Sequence, residues 1–283
     1  MSLNQDVLVG YLRSEFGRTA KLRVWLFIIQ LLVAVPGAVA VVVVDVTTTY
    51  VLAVSGAFLL TMWWGFNFFY QRGRAAAQAA RRAAMLIGGL GQNISANEIS
   101  SLREKMTVSL ETAQANAKHD YYATKLAHGS ARLGEMIEES AFYSAELQKI
   151  SANVMLLLIG LFALIFTIIA FSAFPFVEKG NVITILRIVL AIFVFVMSSD
   201  VIGAWALHRS ATHSLNDIKS RLKVARIAGF PDTDVMLIMA DYNSSIEAAP
   251  ESVPYAYSCR EESLNARWKQ YQIDNNNSGA DEQ

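Results

Sequence analysis

The chain has 283 residues, of which 54% are hydrophobic and only 17% charged, against about a quarter charged in an average soluble protein. Lys+Arg and Asp+Glu both number 24, so net charge points to no acidic or basic partner, while the apolar excess argues for a membrane protein over an ordinary soluble domain. The one cysteine, Cys259, excludes an intrachain disulfide and fits a reducing compartment.

Residues 1–23 read as a cytoplasmic N-terminal helix. The first apolar run, about 24–44, is followed by no small-residue cleavage site and reads as a retained helix rather than a signal peptide. Pro36-Gly37 inside it predicts a local kink. A second run covers about 51–70, a third about 153–171 and a fourth about 183–207. Each meets the need of a membrane-crossing helix for about 20 mostly apolar residues. Short loops, DVTTT from Asp45 and roughly SAFPFVEKGNV from Ser172, pair the runs into two hairpins, 24–70 and 153–207. Arg13, Arg18, Lys21 and Arg23 precede the first run. Arg72, Arg74, Arg81 and Arg82 follow the second, and Arg209, Lys219, Arg221, Lys223 and Arg226 follow the fourth. The opposite side offers Lys179, with Arg187 just inside the fourth run. Positive charge stays on the cytoplasmic side. The expected fold is therefore an all-α membrane protein with four transmembrane helices as two hairpins, a cytoplasmic helical bundle, and both termini inside.

The segment 71–152 should be helical. RGRAAAQAARRAAMLIGGL leaves the second span and stops at Gly88–Gly91. Ser95 and Glu98 have capping-box spacing. Behind them Ile99, Leu102, Met106, Leu110, Ala113 and Ala117 recur as one stripe of a single amphipathic helix. Gly129-Ser130 marks a break, and the helix that follows, with Leu133, Ile137 and Ala141 on one face, leads into the third span. The C-terminal part, 208–272, has three helical pieces: one ending at Gly229-Phe230-Pro231, one from Asp232 stopped by Pro250, and one with Tyr257, Leu264, Trp268 and Tyr271 as a stripe. Residues 273–283 are polar and read as a disordered tail.

Three polar side chains fall at similar depth in the cytoplasmic third of the bilayer: Gln30, Asn67 and Asp200. Asp200 precedes His208 by eight residues, about 12 Å along a helix. A carboxylate there costs at least a few kcal/mol. The trio is either a hydrophilic pore or gate, or interhelical glue in which Gln30 and Asn67 satisfy Asp200. A neutral, protonated Asp200 in an apolar pocket is the third reading. Ser199 and Gly203 are spaced for close helix contact. Arg187 lies about 20 Å from Asp200 on the same helix, and reads as snorkelling to the outer interface.

No P-loop, GxSxG, HExxH or CxxC is present, so no enzyme activity and no cofactor are expected. GGLG follows a helix and acts as a breaker. His119, His128, His208 and His213 lack metal-ligand spacing as a set. Lys219, Lys223 and Arg226 share one helix face, with Arg221 nearby. Such a face can bind phosphates of a nucleotide, meet anionic lipid headgroups, or simply solvate the helix. Tyr257, Trp268 and Tyr271 could stack bases, although a stripe at helical spacing suits a core as well.

YLRSEFGRTAKLRVW leading directly into the first span, the two-hairpin plan with a cytoplasmic helical middle, and DYNSSIEAAP followed by Tyr257 and SLNARW together give a resemblance over most of the chain. The chain resembles the four-transmembrane pore-forming effectors of bacterial antiphage defence, of Hailong or CBASS type, encoded beside a nucleotidyltransferase. The resemblance implies a multi-pass inner-membrane protein and homo-oligomeric ion channel in contact with membrane lipid. It also implies a nucleotide signal from the partner nucleotidyltransferase, either a cyclic oligonucleotide or a linear DNA oligomer. On that reading opening depolarises the membrane. A tetramer is the expected assembly, because small channel proteins build pores on a symmetry axis. The alternative is a non-conducting scaffold or accessory subunit.

Overall fold

The computed structural model describes residues 3–40, 43, 45–173 and 201–280. Among them all regular structure is helical: α1 (Gln5–Ala40), α2 (Val46–Leu90), α3 (Ala96–Lys105), α4 (Leu110–Ala115), α5 (Ser130–Ala173), α6 (Ile202–Ile227), α7 (Asp232–Ala248) and α8 (Ala256–Ala280). The chain divides into a bundle unit (Met1–Ala20, Gln71–Ile150, His208–Gln283) and an apolar unit (Lys21–Tyr70, Ser151–Leu207).

Among the described residues, α2 and α5 are long and apolar enough to cross a membrane, over Val46–Leu90 and Ser130–Ile165, and each lies partly in the apolar unit. Large side chains on them lie uncovered by protein: Trp64 is 68% exposed, Leu157 71% and Phe171 76%. Apolar area on this scale marks a surface made for something other than water. The few hydroxyls there turn back onto their own helix: Ser55 donates to the Leu52 carbonyl at 2.9 Å, Thr61 to Ala57 at 2.9 Å and Thr167 to Ala163 at 2.8 Å. A helix that satisfies its polar groups internally can sit in hydrocarbon. Asp45 opens α2, its carboxylate accepting both the N–H and the hydroxyl of Thr48 at 2.7 Å. In the part of α1 that belongs to the apolar unit, Leu26, Ile29 and Val33 are buried. Val201 packs on Met155, Leu158, Ile159 and Phe162. The second and third expected spans fall in α2 and α5; α1 holds the residues of the first as far as Ala40 and runs through Pro36 without ending there, but among the described residues it is not one of the two helices long and apolar enough to cross a membrane. Most of the fourth, with Arg187 and Asp200, lies outside the described residues.

The bundle unit has two cores. In one, Leu8, Val9 and Leu12 of α1 meet Ala79, Ala80, Ala83 and Ala84 of α2, closed by Leu102 and Ala113. Alanine allows this close approach. Gly10 takes it further, since a Cβ there would sit 1.9 Å from the Ala113 carbonyl oxygen. In the other, three stripes interdigitate: Leu133, Met136, Ile137 and Ala141 of α5; Leu215, Ile218 and Leu222 of α6; Val235, Ile238, Met239 and Tyr242 of α7. Each fully buried large side chain contributes about 1.5–3 kcal/mol.

Two stretches differ from the sequence expectation. The single helix over 99–117 is two, α3 and α4, because Glu15 intervenes. Glu15 is fully buried, and its carboxylate accepts the N–H groups of Thr107 at 2.6 Å and Val108 at 3.0 Å and the Thr107 hydroxyl at 2.5 Å. Those amides are then lost to a continuous helix, and Ser109 starts α4 by accepting from the Thr112 N–H. The polar tail, expected to be disordered from 273, instead continues α8 to Ala280. Gln270 holds Asp274 one turn on, at 2.7 Å, and Asn275 donates to Glu138 at 3.1 Å.

The α6–α7 corner depends on Phe230. Its φ is 56°, a left-handed conformation costly for a bulky residue. The ring is buried against Gly134 of α5, where a Cβ would meet it at 2.5 Å. Gly134→Ala should therefore lower the melting temperature, at a cost of about 1–3 kcal/mol from overpacking. Gly160→Ala, with no atom within 4 Å of the added carbon, should not.

Candidate functional site

The sequence-predicted residues separate once placed. Gln30 and Asn67 are both half-buried in the apolar unit, on α1 and α2, and each has interaction partners. Asp200 lies outside the described residues.

The basic face of α6 is largely occupied by protein. Arg226 bridges Glu135, at 3.1 Å, and Glu138. Glu138 is only 1% exposed, and its second oxygen accepts from the Tyr271 hydroxyl at 2.9 Å and from Asn275. This network joins α5, α6 and α8. Arg221 pairs with Asp241 of α7 at 2.6 Å. The Lys219 nitrogen sits 5.4 Å from the Phe142 ring centroid and 5.6 Å from that of Tyr271. Burial pulls its pKa down, against the opposing pull of Glu146. Lys223 is exposed. Three of the four cations thus serve helix packing, and the site is not preformed as a phosphate cradle. The stripe of Tyr257, Leu264, Trp268 and Tyr271 is chiefly core: Trp268 and Tyr271 stack at 5.5 Å and both lie 5.2 Å from Phe142.

A second basic group, passed over in the sequence as membrane-flanking charge, has the opposite character. Arg74, Gln78 and Arg81 recur at four and three residues on the alanine-rich part of α2 and line a cleft of about 770 Å³ in the bundle unit. Arg81 is 9% exposed. It donates to Gln78 and lies 5.4 Å over the Tyr242 ring, while its Nε has no hydrogen-bond partner in the protein. The fully buried Tyr242 hydroxyl likewise has none. Arg74 donates to the carbonyls of Glu247, at 2.8 Å, and Ala249. Arg82, Arg221, Arg226 and Arg267 each meet a carboxylate. Among the described residues none lies within ion-pairing distance of Arg74 or Arg81. A buried charge left in this state carries a desolvation penalty that an anion would offset.

The cleft is held open by its own wall. Residues between α7 and α8 form the rim, tied down by Thr19 donating to Glu251 at 2.9 Å and Gln148 donating to the Pro250 carbonyl at 2.9 Å. Tyr255 on that rim has a φ of 64° and is 66% exposed. Tyr143, opposite, donates to Asn265 at 2.8 Å, and burial pushes its pKa up to about 12. It therefore stays a neutral donor at physiological pH. A sequence signal for the cleft existed in the 74/78/81 stripe. A helix that is alanine on its other faces packs closely all round, so polar residues on it have no easy route to water.

The four histidines lie apart. His119 contacts Asp6 at 2.9 Å, His128 donates to the Gly88 carbonyl at 3.1 Å, His208 donates to Gln148, and His213 is exposed. Each of the first three links neighbouring elements.

Arg226→Met should lower stability by about 3 kcal/mol because it leaves Glu138 buried without its cation, whereas Lys223→Met should stay within about 0.5 kcal/mol; thermal melts of the purified chain compare them. Glu139 supplies a pH test. Burial, helped by the Glu135 charge, raises its pKa against the bond from the Ala123 N–H. A carboxyl whose folded pKa is raised contributes stability that is full below its unfolded pKa and lost as pH rises through the folded value. Glu139→Gln should therefore raise the melting temperature at pH 8 more than at pH 4; an equal shift at both would contradict the assignment.

In comparison with known proteins, no family model, curated protein or solved structure matches the chain.

Proposed function

We propose that the protein is a homo-oligomeric ion channel of the bacterial inner membrane, a pore-forming effector of antiphage defence whose cytoplasmic bundle senses a nucleotide or oligonucleotide made by a partner nucleotidyltransferase. The observation that carries this reading is the double duty of α2 and α5. Each gives one part to the uncovered apolar unit and the other to the buried bundle, with no break in the helix. A ligand that changes packing in the bundle acts on the same helices that would meet lipid, and two discrete packings suffice for gating. In this reading the chain crosses the membrane four times with both termini inside. Gln30, Asn67 and Asp200 line the path, and four subunits surround it.

A non-conducting scaffold is the competing reading, favoured by the half-buried, partnered state of Gln30 and Asn67. In a scaffold, Asp200 is glue. The two readings separate on one substitution. For a pore, Asp200→Asn should alter single-channel conductance or cation selectivity while the oligomer elutes unchanged. Unaltered currents from an intact oligomer would remove Asp200 from the path, and a collapsed oligomer with no current in the wild type would favour the scaffold.

A further inference from the structure

Among the described residues of the bundle, two arginine pairs differ in how they are met: one is ion-paired, and the other has no carboxylate within ion-pairing distance, although Glu139, Glu251 and Glu261 line the same cleft. On α6, Arg221 and Arg226 are neutralised by Asp241, Glu135 and Glu138. On α2, Arg74 and Arg81 bond only neutral oxygens. Arg81 is nine-tenths buried with an unused N–H donor, beside a fully buried tyrosine hydroxyl that is also unused. Both residues line one cleft, and a buried polar group without a partner is costly. A guanidinium has five donors, so Arg74 keeps capacity beyond its two carbonyl bonds. The cleft, at about 770 Å³, lies within the roughly 300–1,000 Å³ of small-molecule sites.

The lining also includes aromatic rings and, away from the hydrogen-bond reach of Arg74 and Arg81, the carboxylates of Glu139, Glu251 and Glu261. Tyr255 and Tyr257 are exposed at 66% and 43% on one side, and Tyr143 meets Tyr257 edge to face at 6.3 Å. Tyrosine faces accept any flat heterocycle, and stacking on them is insensitive to sequence. We propose that this cleft, rather than the basic face of α6, is a nucleotide site, taking a mono- or dinucleotide with a phosphate on Arg81 and Arg74 and a base against Tyr255 and Tyr257. Guanidinium groups suit phosphate because their fork of donors matches its oxygens. The ligand class rests on the nucleotide-sensing reading above; the location rests on the residues of the cleft.

The test is calorimetric titration of the full-length protein in detergent with the four 5′-mononucleotides and the homodinucleotides pApA, pCpC, pGpG and pUpU. Adenosine and inorganic phosphate serve as half-ligands. At least one nucleotide should bind, and more tightly than either half-ligand. Arg81→Met and Arg74→Gln should each weaken it about 10- to 100-fold, the loss of one charged hydrogen bond. Arg221→Ala and Lys223→Ala should change it less than twofold. If Arg81→Met fails to fold, Arg74→Gln and the exposed Tyr255→Ala carry the same reading, the latter through lost stacking. Binding that falls with Arg221 and Lys223 but not with the cleft variants would overturn the location, and no binding by any nucleotide would overturn the proposal. Because no current is measured, binding at the cleft in a protein that never conducts would sink the pore and leave the site, whereas currents without nucleotide binding would do the reverse.

Discussion

The constraint on which the structure depends is that single helices must run from an uncovered apolar surface into a packed core. The Val46–Tyr70 part of α2 carries large apolar side chains that no protein covers, and its remainder carries alanines buried on several faces. α5 makes the reverse passage, from the buried stripe of Leu133, Ile137 and Ala141 to exposed Leu157 and Phe171. A continuous helix meets this constraint because its backbone hydrogen bonds are internal wherever it runs. What changes along it is only the side-chain pattern, from apolar all round to a stripe.

Within the bundle the decisive physical difference is how each cation is compensated. Arg226 is enclosed by two carboxylates and ties α6 to α5, and through Glu138 to α8. Its charge belongs to the fold. Arg81 has an aromatic face, an amide oxygen and a spare donor. Its charge is only partly met from within. Clustered positive charge in a sequence does not distinguish these cases, because the distinction depends on which helix packs opposite. This is why the face of Lys219, Arg221, Lys223 and Arg226 stood out in the sequence while the pair on α2 did not.

Much of the helical layout was legible because its signals are local. Ser95 caps α3 by accepting the Glu98 N–H, Gly91 takes a φ of 71° just past α2, and Pro250 follows the end of α7. What was not legible depended on partners distant in sequence. Glu15 splits the 99–117 segment from 92 residues away, and no periodicity within that segment could announce it. Asn275 joins the Glu138 network from 137 residues away, which extends a helix through a polar tail that by composition alone has no reason to order. The Phe230 corner belongs to the same class, since its left-handed backbone is tolerable only because Gly134 leaves room for the ring.

The central claim is that nucleotide occupancy of the bundle controls ion flow through the apolar unit. Its most direct test is current through a planar bilayer holding the purified wild-type protein, recorded as isolated, after nuclease treatment, and with the nucleotide panel added. The account predicts discrete openings whose probability changes between these conditions. Silence in all three, from protein that remains folded and oligomeric, would contradict it.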